Sequence, residues 1–199
     1  RLPHENDLDP ARRLRVGYVS ADLREHAVAR FLEGVLQNHR QNDACEIIVF
    51  DVSPYAEDQV TARLKRFART WRRVSDLSDE ALAATIRSAK IDILVDLSGH
   101  TGWNRLPVFA RKPAPVQVSW LGYMNTTGLS TIDYRLTDGY MDPIGESESF
   151  YTEALFRMPA MACFTPAPDC PPVNAMPALR SGVFTYGSMN HWAKVSDEV

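Results

Sequence analysis

Two histidines of this sequence stand in short polar segments where a proton could be moved to or from a substrate. The first, His26, lies four residues after Asp22, in the segment that follows a predicted strand at Leu14 to Ser20. Histidine has a near-neutral pKa, which suits it to remove or shuttle a hydroxyl proton. The same residues also fit a surface histidine ahead of a helix, with Asp22 serving only as a cap. These residues alone leave both interpretations open.

The second histidine, His100, lies between two glycines in the segment Ser98 to Gly102. Together with Gly99 and Thr101 it predicts a turn whose backbone N–H groups could approach a sugar or a phosphate. The spacing matches neither the G-x-G-x-x-G nor the Walker pattern of nucleotide sites. A tight left-handed turn without a ligand accounts for the segment equally well.

A third polar segment runs from Gly122 to Gly128, directly after a predicted buried strand. Its amide, its two hydroxyls and its aromatic ring would suit a polyol, and they would also suit an ordinary loop. The candidate substrate-binding residues of this segment are Asn125, Thr126, Thr127 and Gly128.

Several kinds of active site have no signature in the sequence. We find no acidic pair that stands out as a glycosidase dyad, no G-x-S-x-G elbow and no His, Cys and Asp cluster with metal-ligand spacing. The sequence therefore predicts neither a bound metal nor a cofactor.

The elements around these segments alternate between strands and helices. Strands are predicted at Leu14 to Ser20, Glu46 to Val52, Trp71 to Val74, Ile91 to Leu97, Val116 to Leu121, Tyr134 to Thr137 and Ala154 to Met158. Helices are predicted near Val28 to Asn38, Asp58 to Phe67, Asp79 to Ala89 and Leu106 to Ala110, with Ser78 as an N-cap. This rhythm indicates an α/β fold, with a Rossmann-like, mostly parallel sheet and helices on both faces. In such sheets ligands bind beyond the carboxyl ends of the strands.

The amino-acid composition argues against nucleic acid and membranes as partners of this protein. The 199 residues are 45% hydrophobic and carry a formal net charge of −3, so no positive field favours nucleic acid. Three cysteines form no disulfide framework, which favours a reducing, cytoplasmic setting. No apolar run reaches the length of a membrane span, so we expect no membrane partner.

The sequence also predicts a domain organisation. Residues 1–13 have no apolar periodicity and are interpreted as a linker, and residues 14–158 form the α/β domain. Residues 159–181 are rich in proline and are interpreted as a second linker. Residues 182–199 would then begin another domain, with a strand at Gly182 to Ser188.

One long block resembles a known family. The 43 residues from Asp96 to Asp138, with Gly-His-Thr-Gly, Trp-Leu-Gly-Tyr and Asp-Tyr-Arg-Leu-Thr-Asp, resemble the catalytic region of O-GlcNAc transferases and SPINDLY proteins. Arg15 to Asp22 with His26 resembles the first strand and histidine loop of that family, and Phe184 to Lys194 resembles the opening of its second catalytic domain.

The resemblance implies the N-terminal half of a GT-B glycosyltransferase, preceded by tetratricopeptide repeats. The family transfers GlcNAc from UDP-GlcNAc to Ser or Thr of acceptor proteins, with inversion and without a metal. Its second domain holds most of the nucleotide, so this acceptor-side half is expected to be inactive alone. The resemblance places His26 at the active site, as base or orienting group, and Asp22, Gly99, His100, Thr101 and Asn125 to Gly128 along the cleft.

Alternatives remain at this point. The donor could be GDP-fucose, as in the SPINDLY branch, or the chain could bind acceptor proteins without catalysis. A sugar-nucleotide epimerase is a third possibility, because a fold does not choose its chemistry. The sequence departs from the family pattern at Ala27, where proline is common, at Arg30, where animal enzymes have a histidine, and at Met124, where proline is usual.

Overall fold

The structure is a computed structural model that describes residues 3–9, 11–42, 45–161, 164, 166 and 170–187. The strands of this part of the chain are β1 (Leu14–Ser20), β2 (Cys45–Asp51), β3 (Thr70–Arg73), β4 (Ile93–Asp96), β5 (Val116–Ser119), β6 (Tyr134–Asp138) and β7 (Ala154–Met158). The helices are α1 (Ala27–Asn42), α2 (Gln59–Leu64), α3 (Asp79–Ser88), α4 (Leu106–Ala110) and α5 (Pro177–Ser181), with a 3-10 turn at Glu148–Phe150. Seven of the eight predicted strands and all four predicted helices are present.

The seven strands form one sheet in the order β3-β2-β1-β4-β5-β6-β7, and every neighbouring pair is parallel. The chain moves outward from β1 to β3 and then returns to place β4 on the other side of β1. The order therefore reverses between β1 and β4, and the connections that follow these two strands diverge to opposite faces. A crevice opens where such a reversal meets the carboxyl ends of the strands.

Apolar side chains bury both faces of the sheet. On one face, the strands pack against α1 and α2 through residues such as Leu32, Leu36 and Leu64, which are fully buried. On the other face they pack against α3 and α4, where Leu82 and Phe109 are fully buried. The prediction of helices on both faces is thus confirmed, and a sheet covered on both sides explains why its strands read as nearly continuous apolar runs.

Two helices begin at side-chain caps. The Ser78 hydroxyl accepts the Ala81 N–H at 3.2 Å at the start of α3, as predicted. At α2 the Asp58 carboxylate accepts the Thr61 N–H at 2.8 Å, and the Asp58 N–H donates to the Thr61 hydroxyl. Asp58 is therefore the cap of α2 rather than its first residue, and α2 ends at Leu64, three residues before the predicted end.

The segment before β1 is tied to the amino edge of the sheet. Asp92, just before β4, accepts hydrogen bonds from the Asn6 amide, the Arg12 guanidinium and the Arg15 N–H, all within 2.8 Å. Burial works to raise the pKa of Asp92, but these donors outweigh it and hold that pKa below its ordinary value. The segment has no helix or strand in its described residues, and a linker role for residues 1–13 stays a prediction.

The chain divides into two compact units, residues 1–165 and 166–199. In the second unit, α5 lies inside the stretch interpreted as a linker, where no helix was predicted. Pro177 starts this helix, where its missing N–H costs nothing, and Gly182 ends it at φ 70°.

The predicted strand at Gly182 to Ser188 is wrong over residues 183–187, which form no strand. Val183, Phe184 and Tyr186 are exposed there, and no strand pairs with them among the described residues. Apolar alternation alone does not make a strand when it has no neighbour to pair with. Ser188 and the rest of the predicted second domain, residues 189–199, lie outside the described residues. No helix in the described part of the chain is long and apolar enough to cross a membrane.

Candidate active site

The three polar segments singled out in the sequence leave the sheet at one edge. They follow β1, β4 and β5, which are adjacent in the order β1-β4-β5. Because all strands are parallel, their carboxyl ends lie together, and the reversal between β1 and β4 places the crevice between the first two segments. The fold thus brings Asp22, His26, His100 and the Gly122 to Gly128 loop to the same rim.

The loop after β1 holds His26 immediately before α1. The Val28 N–H lies 3.3 Å from His26 Nδ1, and the Asp22 carboxylate lies 3.9 Å from the same nitrogen. A bond from an N–H to Nδ1 requires the lone pair there, so a neutral His26 carries its proton on Nε2. The His26 side chain is 39% exposed and the Asp22 side chain 13%, so the histidine is the accessible member of the pair.

Neighbouring elements fix the shape of this first loop. The Asp22 N–H donates to the Ser20 hydroxyl at 2.9 Å, and the Thr61 hydroxyl of α2 donates to the Leu23 carbonyl at 2.8 Å. The Arg24 guanidinium lies 4.6 Å from the centre of the Tyr55 ring, in the loop after β2. Asp22 therefore lies in a loop that is fixed by these contacts, and it does not cap α1.

The second loop is built on the Asp96 carboxylate at the end of β4. It accepts the Ser98 N–H at 3.1 Å and the Gly99 N–H at 2.8 Å, while the Thr101 hydroxyl donates to the Ser98 carbonyl at 2.8 Å. Gly99 adopts φ 54°, the left-handed turn considered above. The Ser98 and Gly99 N–H groups are thus engaged by Asp96, and ligand binding by the turn stays a prediction.

Asp96 is buried, and burial raises its pKa to about 6, although the Ser98 and Gly99 N–H groups, Arg135 and His100 all act in the opposite direction. Such a carboxyl changes its charge within one unit of neutral pH. The turn that carries His100 therefore rests on a group whose charge is sensitive to pH.

The third loop packs directly on the second. The His100 ring meets the Tyr123 ring edge to face, with centroids 5.3 Å apart, and His100 Nε2 donates to the Thr127 carbonyl at 3.1 Å. Gly122 passes so close to the β4 loop that an added Cβ would lie 2.5 Å from the Leu97 carbonyl oxygen. The two loops form one surface, and a neutral His100 keeps its lone pair on Nδ1.

Glu153, just before β7, holds the far end of the third loop. It accepts hydrogen bonds from the Thr126 hydroxyl at 2.7 Å, from the Thr127 N–H at 2.8 Å and from the Thr127 hydroxyl. Burial works to raise the pKa of Glu153, but the bonds from Thr127 and Thr126 outweigh it and hold that pKa below its ordinary value. Thr127 is buried, whereas Asn125 and Gly128 are exposed. The two threonine hydroxyls are thus engaged by the protein itself.

An exposed surface remains for a ligand along this rim. It includes His26, His100, Trp103 at 61% exposure, Tyr123 at 42% and Asn125. Aromatic faces and amides of this kind bind sugars and peptides through stacking and hydrogen bonds. In the described residues, no group of three His, Cys, Asp or Glu side chains could hold a metal ion.

The sequence model of Glycosyl transferase family 41 matches residues 2–165. The chain belongs to glycosyl transferase family 41.

Relatives of this family 41 chain include the SPINDLY proteins of Petunia hybrida and Arabidopsis thaliana, each named a probable UDP-N-acetylglucosamine–peptide N-acetylglucosaminyltransferase. They are 38% and 39% identical over 98% of the chain, which spans 21% and 22% of their lengths. A solved structure, the K341M mutant of the Thermobaculum terrenum O-GlcNAc transferase, is 44% identical with a TM-score of 0.78. That match covers 85% of this chain and 32% of the solved one, and it confirms the predicted fold class.

Three residues that support the candidate site were not predicted from the sequence. Asp96 lies in the resembling block, but neither its burial nor its bonds to the turn follow from the sequence. Glu153 stands in a loop with no motif, so no local signal could have identified it. No sequence pattern predicted a buried position for Arg135, yet this residue of β6 is only 2% exposed. A buried arginine is rare enough to suggest a function.

Proposed function

We propose that this chain is the acceptor-side part of an inverting protein O-glycosyltransferase that transfers GlcNAc from UDP-GlcNAc to Ser or Thr of proteins. The observation that carries the proposal is the meeting of the His26, His100 and Gly122 to Gly128 loops at the strand reversal. The printed names of the SPINDLY and O-GlcNAc transferase relatives support the donor and acceptor classes.

In this reaction the acceptor hydroxyl attacks the anomeric carbon while the bond to the diphosphate breaks, so positioning contributes much of the rate. We assign His26 the role of orienting group. With Val28 N–H on its Nδ1, the ring offers an Nε2–H donor to a substrate oxygen. Acting as a base through Nε2 would require the other tautomer and the loss of that bond.

Substitution of His26 separates the two roles. A glutamine side chain places an amide N–H near the former Nε2 position but cannot accept a proton at neutral pH. If His26 orients substrate, H26Q retains most of the transfer that H26A loses. If His26 is the base, both variants lose roughly 10²- to 10⁴-fold. Transfer of labelled sugar to acceptor peptide by the full-length protein is the measurement.

His100 is the complementary candidate for proton transfer. Its Nε2–H is committed to the Thr127 carbonyl, so a neutral ring keeps an acceptor nitrogen at Nδ1. We expect H100Q to lower transfer with little change in the Kd for acceptor peptide. A rise in that Kd at unchanged turnover would instead make His100 a binding residue.

The donor is tested with UDP-GlcNAc and GDP-fucose offered separately. Transfer from UDP-GlcNAc supports the proposal, and transfer from GDP-fucose alone would place the protein in a fucosyltransferase branch. Acceptor binding without transfer from either donor would make it a binding module. Metal independence rests on the family resemblance, and we expect EDTA to leave the rate unchanged.

The same proposal covers the parts of the protein around the described domain. We propose that residues 1–13 follow tetratricopeptide repeats, that residues 159–181 link two catalytic domains and that residues 182–199 begin the second, nucleotide-binding one. We also propose a cytoplasmic location, because the cysteine content favours a reducing compartment. Transfer that requires the second domain, and fractionation of the native protein, test these points.

A further inference from the structure

A row of polar side chains crosses the sheet at the carboxyl end of its central strands. The register pairs Asp96 of β4 with Ser119 of β5, and Ser119 with Arg135 of β6. Residues paired across parallel strands point to the same face, here the face covered by α3 and α4. All three are 2% exposed or less.

Arg135 lacks a close carboxylate partner among the described residues. Its Nη1 donates to the Ser119 hydroxyl at 3.3 Å, its Nη2 lies 3.6 Å from the Met124 sulfur, and its Nε has no partner. The Tyr151 ring lies 5.8 Å from the guanidinium. A buried cation without a counter-charge is strongly unfavourable. Asp96 is the buried carboxylate in the same row, on the far side of Ser119 from Arg135.

The ionisation of Asp96 in turn depends on nearby positive charge. The charged or titratable groups that act on it are Arg135 from β6 and His100 from its own loop. The adjacent strands β1 and β5 present Val19 and Ser119 beside it, and neither titrates. The ionised carboxylate accepts the two N–H groups that shape the turn before His100. Charge-assisted bonds of this kind are about twice as strong as neutral ones.

We propose that Arg135 is a positioning residue of the transferase: from two strands away, across Ser119, its charge keeps Asp96 ionised, and Asp96 then holds the turn that carries His100. The proposal rests on the proposed function, since it assigns Arg135 a part in the same site. Arg135 acts at a distance and contacts no substrate in this scheme. Its effect should therefore appear as a pH dependence.

The first test measures the carboxyl itself. Carbon-13 NMR of aspartate-labelled protein, with the Asp96 signal assigned through D96N, should give a wild-type midpoint near pH 6. In R135Q the midpoint should rise by about one unit, the lower end of what a nearby opposite charge does. R135K keeps the charge and should stay close to wild type. An unchanged midpoint in folded R135Q would overturn the proposal.

The second test measures transfer by the full-length protein as a function of pH. A midpoint shift from about 6 to about 7 lowers the ionised fraction of Asp96 about fivefold at pH 6 and about twofold at pH 7. The acid limb of the R135Q rate profile should move with the NMR midpoint. A shifted midpoint with an unshifted acid limb would overturn the positioning role. If the wild-type protein transfers no sugar, the proposed function is refuted. The NMR midpoints would still show whether Arg135 controls the ionisation of Asp96.

Arg157 of β7 supplies the matched control. Its guanidinium donates to the Asp142 carbonyl and to Glu148, away from the Asp96 row. R157Q removes the same charge from the next strand and should leave the Asp96 midpoint and the acid limb in place. An equal shift in R157Q would show a general loss of positive charge rather than the action of Arg135.

Discussion

Replacing Glu153 with alanine should loosen the third loop and destabilise the domain. The change removes the acceptor of the buried Thr127 N–H and of both threonine hydroxyls. A buried donor left without a partner costs about 1–3 kcal/mol, and hydrogen bonds to a charged group contribute about 1.5–3 kcal/mol. Because these effects share the same atoms, we expect a total loss of about 2–4 kcal/mol in the free energy of unfolding.

The assay is urea unfolding followed by circular dichroism at pH 7 and again at low pH. The native-state pKa of Glu153 lies below its unfolded value, so its stabilisation is fully present above the unfolded pKa of 4.5. That stabilisation is lost as the pH falls through the native pKa. The difference between wild type and E153A should therefore be largest near pH 7 and shrink as the pH falls below about 4.

Glu148 offers the control for this experiment. Its side chain is 49% exposed and pairs with Arg157, so E148A should lower the free energy of unfolding far less than E153A does. If E153A proves no more destabilising than E148A, the reasoning about the buried acceptor is refuted. If the E153A difference persists undiminished at low pH, the charge of Glu153 is not what stabilises the loop.

Two further substitutions test the turn and the amino edge. Gly99→Ala should lower the free energy of unfolding by about 1–3 kcal/mol, because φ is 54° and the new Cβ would lie 2.7 Å from the Tyr123 Cβ. The control is Gly139→Ala, which has open space around it and should stay near wild type in urea unfolding. Equal losses in the two variants would contradict this reasoning. Asp92→Ala removes the carboxylate that binds Arg12 and should lower the free energy of unfolding by about 2–3 kcal/mol at pH 7. Amide hydrogen exchange in residues 3–9 should become faster. Unchanged exchange would show that Asp92 does not hold that segment.

The sequence was sufficient for the layout of the sheet because that layout follows from local pattern. Apolar runs as clear as Leu14 to Ser20, bounded by polar turns, have one stable placement in a doubly covered sheet. Caps such as Ser78 are equally local. The wrong strand prediction has a different cause, because pairing is not a local property of the sequence. Gly182 to Ser188 alternates like a strand but has no pairing partner in the described residues.

The location of the candidate site could be predicted from the sequence, but the buried residues that hold its loops in place could not. His26 and His100 could be placed on one rim, because loops that follow adjacent parallel strands must meet there. The hydrogen bond of the buried Arg135 to Ser119, and the bonds that Thr126 and Thr127 donate to Glu153, join residues 16 to 27 positions apart. No motif marks such pairs in a single sequence.

The strand order also bears on how the domain is made. β1 pairs with β2 about thirty residues on, but its other neighbour is β4, with Val16 opposite Ile93. During synthesis β1 can therefore have only one side covered until the chain has grown past residue 96. Pairing over such separations closes long loops, which slows folding relative to local contacts. The crevice between β1 and β4 can form only at that late step, so cotranslational folding of this rim must wait for the GHTG turn.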